Sequence, residues 1–270
     1  MTFQPAIPLS GFAGWRLLQR TEAAQREAFN ADPQIQRDIA YFRAHAAEAK
    51  TAEDLVNDRR LLKVALGAYG LDEDIDKKAF IRKVLEEGTL DPESFANRLV
   101  DSRYRDLARD FGYGDFAART SLSTFVEKVI SRYQERQFEA AVGDVDNDMR
   151  LAMNFRREIG DVVSGDKSAS TKWFAILGNT PLREVVTAAL GLPNSFGSID
   201  VDKQVEMLER KSSEILKIDD PSGLADPEVM ENVIKRFFIK QSIENGSTTY
   251  NPALALITAG QSSFQSILNS

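Results

Sequence analysis

The side chains able to do chemistry in this chain are few, and their spacing matches no catalytic pattern. His45 is the only histidine, and its imidazole would titrate near neutrality, as a general base requires. It stands in Phe42-Arg43-Ala44-His45-Ala46-Ala47-Glu48, a helical pattern in which no orienting partner is identifiable, so a surface or half-buried helical position is expected. Asp144-Val145-Asp146-Asn147-Asp148 carries carboxylates at the first, third and fifth positions of a calcium loop. The loop then fails, because Met149 stands where the turn needs glycine and Phe155 where the bidentate glutamate belongs. Asp72-Glu73-Asp74-Ile75-Asp76 fails in the same way, with Lys77 and Lys83 at those positions. Both acidic runs are expected to be solvated helix starts.

Nucleotide signatures fare no better. Gly112-Tyr113-Gly114 lacks the third glycine of a dinucleotide fingerprint, and Gly165-Asp166-Lys167-Ser168 only superficially ends like a phosphate loop, with an aspartate that would oppose the phosphate. Glu86 and Glu87 are adjacent in sequence and point to different sides of a helix, so they form no acid-base dyad. The chain has no cysteine, which removes disulfides, thiolate nucleophiles, iron-sulfur clusters and cysteine-ligated zinc together. The sequence therefore assigns no catalytic residue, no metal ligand and no cofactor site.

Composition narrows the partners. With 41 acidic against 34 basic residues and a net charge of -7, the 270-residue chain is a poor match for a phosphate backbone, and no nucleic acid is expected. No stretch approaches the ~20 apolar residues of a membrane helix, and the first eight residues lack both a basic region and a long apolar run. The expected location is the cytoplasm, with signal-less export through a dedicated channel compatible with the same features. The 43% hydrophobic and 28% charged fractions are those of an ordered globular protein.

The elements that must position these side chains are helices. Proline follows a capping residue at Asp32-Pro33, Asp91-Pro92, Thr180-Pro181, Asp226-Pro227 and Asn251-Pro252, each a predicted helix start, since a side-chain oxygen takes an orphan amide and proline has no amide to orphan. Thr51-Ala52-Glu53-Asp54 resembles a capping box with aspartate in place of glutamate. Gly70, Gly88, Gly191 and Gly246 suit the left-handed residue that ends a helix. Apolar residues from Phe125 to Ile159 keep a helical period through a charged segment and predict one long helix, or two joined near Gly143. Strand-like alternation is nearly absent. The reading is an all-α fold of nine to twelve helices.

The chain also partly repeats itself. Leu61 to Leu71 aligns with Leu182 to Leu192, sharing the first leucine, a valine, an alanine and the closing Gly-Leu, and Asp91-Pro92-Glu93 aligns with Asp226-Pro227-Glu228. Two degenerate copies are too few for a solenoid and predict a compact two-lobed body. The polar run near residue 165 is the expected hinge, giving an N-terminal lobe over 1-165 with a first pseudo-repeat at about 51-112, and a C-terminal lobe over 166-270 with a second at about 171-240 and a polar tail.

Four segments carry a resemblance: Ser10 to Thr21, Arg60 to Asp91, Glu135 to Gly143, and Trp173 to Arg183. Together they resemble an uncharacterised alphaproteobacterial domain family of unknown function, whose members can carry the domain in more than one copy and whose genes are often found among flagellar genes. The resemblance implies a helical protein with a link to motility, and brings no catalytic motif with it.

The leading expectation is a non-enzymatic interaction protein, an accessory, chaperone-like or structural factor of the flagellum that binds protein partners. The alternative is an enzyme with its site in the cleft between the two pseudo-repeats. Candidate partner-binding residues are Trp15 and Trp173, read either as aromatic anchors or as core pillars, and Leu254, Ile257, Phe264, Ile267 and Leu268, apolar residues of a tail otherwise made of small polar ones, which docks on a partner or on the body. Arg156 and Arg157 could meet an acidic partner or form a solvated helical face.

Overall fold

The computed structural model describes residues 3-244. Among them the fold is all-α: α1 (Gly11–Asn30), α2 (Pro33–His45), α3 (Ala52–Asn57), α4 (Arg59–Tyr69), α5 (Lys78–Glu87), α6 (Phe95–Arg98), α7 (Ser102–Phe111), α8 (Ser123–Val145), α9 (Asn147–Val162), α10 (Ala169–Leu177), α11 (Thr180–Ala189), α12 (Val201–Leu216) and α13 (Pro227–Glu244), with short 3₁₀ turns between some of them and no strand among the described residues. None of these helices is long and apolar enough to cross a membrane.

Most helix starts are where their caps place them. The Asp32 carboxylate accepts the Gln34 amide at 2.8 Å ahead of α2, and Asp226 accepts the amides of Glu228 and Val229 at 2.9 and 3.2 Å ahead of α13. Thr51 and Asp54 exchange side-chain to backbone bonds of 3.1 and 2.9 Å, a complete capping box for α3. Two expectations are corrected. The cap of α11 is Asn179 and not Thr180, because the amide of Leu182 binds the Asn179 oxygen at 3.2 Å. Asp91-Pro92 starts no helix: the Asp91 carboxylate takes the Glu93 amide and its carbonyl takes the Ser94 amide, while the Asn97 side chain donates to the Thr89 and Asp91 carbonyls at 2.9 and 2.8 Å. These bonds close a turn, and only the four-residue α6 follows. The start expected at Asn251-Pro252 and the stop at Gly246 lie outside the described residues.

The charged segment after residue 123 forms two helices. The break is at Asp146, whose extended backbone ends α8 and whose carboxylate accepts the Met149 amide at 3.1 Å to start α9, so Gly143 sits inside α8. Among the described residues the thirteen α-helices exceed the expected count because short pieces such as α3 and α6 stand as helices of their own.

The core is one continuous body. α4 is buried over nearly its whole surface and lies across α8, α8 folds back on α9, and α9 leads to α11, which packs on α13. α1 closes the circuit from the N-terminal side: the Trp15 ring lies 6.1 Å from Phe238 of α13, and Arg16 pairs with Glu231 at 3.1 Å. A small separate cluster of Val84, Ala96 and Ala108, flanked by edge-to-face contacts of Phe80 with Phe95 and Tyr104, joins α5, α6 and α7 into an arm.

The two aligned segments share one geometry at their helix ends. Gly70 at φ 68° and Gly191 at φ 66° follow α4 and α11, and the amides of Leu71 and Leu192 reach back to the carbonyls of Leu66 and Thr187 at 3.0 and 2.9 Å, a Schellman closure in both cases. Their second anchors diverge, since Asp226 caps the long α13 whereas Asp91 closes a turn.

Candidate functional site, a basic cleft

The arm formed by α5–α7 stands apart from α10 and α11, and the space between them is a cleft of about 590 Å³ floored by α8 and α9. Helical spacing supplies its charge. α7 contributes Arg103, Arg105 and Arg109, α8 places Arg132 and Arg136 one turn apart, α9 adds Arg157, and Lys167 projects from the loop before α10. Against these seven basic groups stand four acids on the same walls, Asp106, Glu135, Glu158 and Asp161, and three more, Asp101, Asp110 and Glu139, pair with the arginines from beside the cleft, so the basic excess belongs to the lining alone.

Most of these charges are fixed in place by partners. Arg157 grips Glu139 with two bonds of 2.7 and 2.8 Å and reaches Glu158 at 2.7 Å, and Arg136 donates to the same Glu158 oxygen. The other Glu158 oxygen accepts the Asn179 amide at 3.0 Å, so the residue that caps α11 is also bonded to the cleft floor. Burial alone would raise the Glu158 pKa. The two guanidiniums outweigh it and hold the carboxyl down at about 2. Burial in turn lowers the Arg136 pKa, although an arginine there remains a cation. At the outer end Arg132 pairs with Asp110 at 2.6 Å, and the Tyr69 hydroxyl donates to the same carboxylate oxygen at 2.9 Å.

Arg103 spans two elements, with Nε and Nη2 on the Asp101 carboxylate and Nη1 on the Gly70 carbonyl, which ties α7 to the end of α4. Arg105 and Lys167 differ from the rest: neither side chain has a hydrogen bond or ion pair among the described residues. They are the cations left to a ligand. Burial raises the Asp106 pKa above the ordinary carboxylate value despite Arg109 at 2.8 Å. A neighbouring recess of about 1000 Å³ shares Arg103, Arg136 and Glu158 with the cleft, and the buried Oδ1 of Asn154, which has no hydrogen-bond partner, lies along it. Such a cleft can attract, orient and partly desolvate an anion.

The residues expected from sequence lie elsewhere. Trp15 and Trp173 are both 0% exposed and serve as core pillars, the second of their two readings, so neither is a surface anchor in this chain. Leu254, Ile257, Phe264, Ile267 and Leu268 lie outside the described residues. His45 ends α2, where its ring stacks on Tyr41 at 4.3 Å and meets Glu48 at 3.1 Å on the surface. Arg156 and Arg157 form no solvated face: Arg156 binds Glu22 and covers the Trp15 ring at 5.2 Å, and Arg157 is held in the cleft floor. Asp146 and Asp148 of the first acidic run are a helix cap and a partner of Gln241, and Asp74 of the second binds Tyr104 and Lys77. Among the described residues no three metal-ligating side chains gather.

Sequence reasoning missed Arg103, Arg136, Glu158 and Asn179. The available signals were the i,i+4 arginines of α8 and the Arg-Glu pair of α9, but only the packing of those helices places them on one wall.

The walls of this cleft fall almost entirely within the segment that known proteins share. Residues 68-230 match the family model described as Protein of unknown function (DUF1217). The fold is similar to the crystal structure of Protein AGR_C_984 from Agrobacterium tumefaciens, at 30% sequence identity and a TM-score of 0.72, with 90% of this chain and 99% of that chain covered. No curated protein matches. On the extent of the family match and on this relative, the chain belongs to the DUF1217 family of proteins of unknown function.

Proposed function

We propose that this chain is a non-enzymatic helical interaction protein that takes an acidic segment of a partner protein into the cleft between α7 and α10–α11. The observation that carries this reading is the pair of cations Arg105 and Lys167, which line the cleft without a hydrogen bond or ion pair among the described residues in an otherwise acidic molecule. The exposed apolar residues Val100 and Phe174 at the same opening add a surface that a peptide can cover. The resemblance stated above suggests the setting, an accessory, chaperone-like or structural factor of the flagellum, acting in the cytoplasm or after signal-less export. The test is affinity capture from motile cells with the native chain and with an Arg105→Glu/Lys167→Glu variant, beside a swimming assay on a deletion strain. A captured partner that the variant loses, together with impaired swimming, is the expected result. Normal swimming with recovery of a free monomer would sink the reading.

A second reading has one observation in its favour. Asp106, with its raised pKa beside Arg109, is a protonatable group in a concave polar site, as general acid-base work requires. If the cleft is that of an enzyme, Asp106→Asn removes turnover of an anionic substrate and leaves its binding intact, whereas an interaction protein keeps its full function with this substitution.

A further inference from the structure

The two ends of α10 and α11 frame a second depression of about 670 Å³, distinct in character from the basic cleft. Val100, Phe174 and Val201 line it while remaining 87, 39 and 48% exposed, and Phe196 forms part of its wall. Contiguous exposed apolar surface of this kind marks a docking site. Apart from Glu184, the polar side chains around it are already engaged within the chain. Lys240 pairs with Glu244 at 2.9 Å, Arg183 donates to the Leu177 carbonyl at 3.1 Å, Gln204 donates to the Ile199 carbonyl at 2.8 Å, and Gln241 bonds to Asp148. Charge recognition is therefore a minor part of what this groove offers, and an uncharged apolar segment is the occupant that fits it.

This chain supplies such a segment at the right place. The last turn of α13 lines the groove through Lys240, Gln241 and Glu244, and residues 245-270 follow Glu244 in sequence. In a chain that is 28% charged they contain no Asp, Glu, Lys, Arg or His, and they carry Leu254, Leu256, Ile257, Phe264, Ile267 and Leu268. Leu254 follows Glu244 by ten residues, a reach of about 15 Å as helix and about 33 Å extended. Either reach suffices to bring Leu254, Leu256 and Ile257 over a groove that starts at Glu244. We propose that the C-terminal segment 245-270 seats its own apolar side chains in the groove between α10–α11 and the end of α13, as an intramolecular plug. The groove shares Val100 and Phe174 with the opening of the basic cleft, so this segment and a partner peptide would compete for those two side chains, while the cross-link below reads the segment alone.

Because the chain has no cysteine, a Val201→Cys/Ile257→Cys variant reads the contact directly with a short bifunctional thiol reagent. A cross-linked monomer at dilute protein is the expected product. A cross-linked dimer would assign the groove to a second copy and overturn the proposal, and so would the absence of cross-linking, as expected if an outside partner or nothing occupies it. Hydrogen exchange on the full chain and on a chain ending at Tyr250 gives the second measurement. Amides of 174-178 and 192-201 are expected to exchange about tenfold faster after truncation while those of 61-71 are unchanged. Unchanged rates at the groove would overturn the proposal, as would a uniform acceleration that includes 61-71, since that would assign the segment a general role in folding.

Discussion

Gly70 and Gly191 hold the same backbone conformation but have different surroundings, which makes them a pair of controlled substitutions. At Gly191 a Cβ would meet nothing within 4 Å, so Gly191→Ala should lose only the backbone term, about 1 kcal/mol. At Gly70 the Cβ would come within 2.9 Å of the Arg136 guanidinium, and Gly70→Ala should destabilise more, because a half-buried cation held by Glu158 must move as well. Chemical denaturation of the two variants checks the order, and equal losses would mean that Arg136 yields freely. Residues of this kind were legible in the sequence because a cap is a local object: Gly-Leu after an apolar run, or Asp-Pro before one, decides its conformation within a few residues. The error at Asp91 has the same origin. Asn97 competes for the carbonyls of that turn, and nothing in an Asp-Pro pair reveals a competitor six residues on. The tryptophans stayed open for another reason: size and aromaticity suit a core and an interface alike, and it is packing, for Trp15 that of α1 on α13, that places them in the core.

At the scale of elements, the join between α8, α9 and α11 passes through one carboxylate. Glu158 is bonded by Arg136 from α8, by Arg157 from α9 and by Asn179 at the cap of α11. Its pKa is about 2 in the folded chain against an ordinary 4.5. A depressed carboxylate contributes stability above the ordinary value and loses it as pH falls through the folded one, so the loss should develop between pH 4.5 and about 2. The contribution at neutral pH is on the order of 3 kcal/mol. Glu158→Gln should remove a stabilisation of that order at pH 7 and flatten the acid limb of the stability profile, as measured by urea unfolding at pH 7, 4.5 and 2.5. An acid limb as steep as that of the native chain would assign the sensitivity to other carboxylates. Helix content and caps could be read from periodicity, but this join could not: Arg136 and Glu158 are unremarkable surface-type residues in sequence, and they become a site only because α8 folds back on α9 at Asp146.

For the whole molecule, we expect one cooperative unit rather than two lobes hinged near residue 165. The core runs without interruption from α4 to α13, and α1 returns to the C-terminal half through Trp15 and Phe238. We expect calorimetry to show a single transition with equal calorimetric and van't Hoff enthalpies, and two separated transitions would establish the lobes as independent domains. The same unity governs association. A protein of net charge -7 repels an acidic partner at long range, and the unpaired Arg105 and Lys167 of the cleft oppose that field locally. Steering by a local field weakens with salt over a Debye length of about 8 Å at physiological ionic strength. Binding of the captured partner should therefore slow as salt is raised from low to physiological, chiefly in the association rate. Arg105→Glu/Lys167→Glu changes the local charge by four and should reverse the sign of that dependence, with association becoming faster as salt screens the new repulsion. A salt response identical in the two proteins would place the contact away from the cleft, however tightly the partner binds.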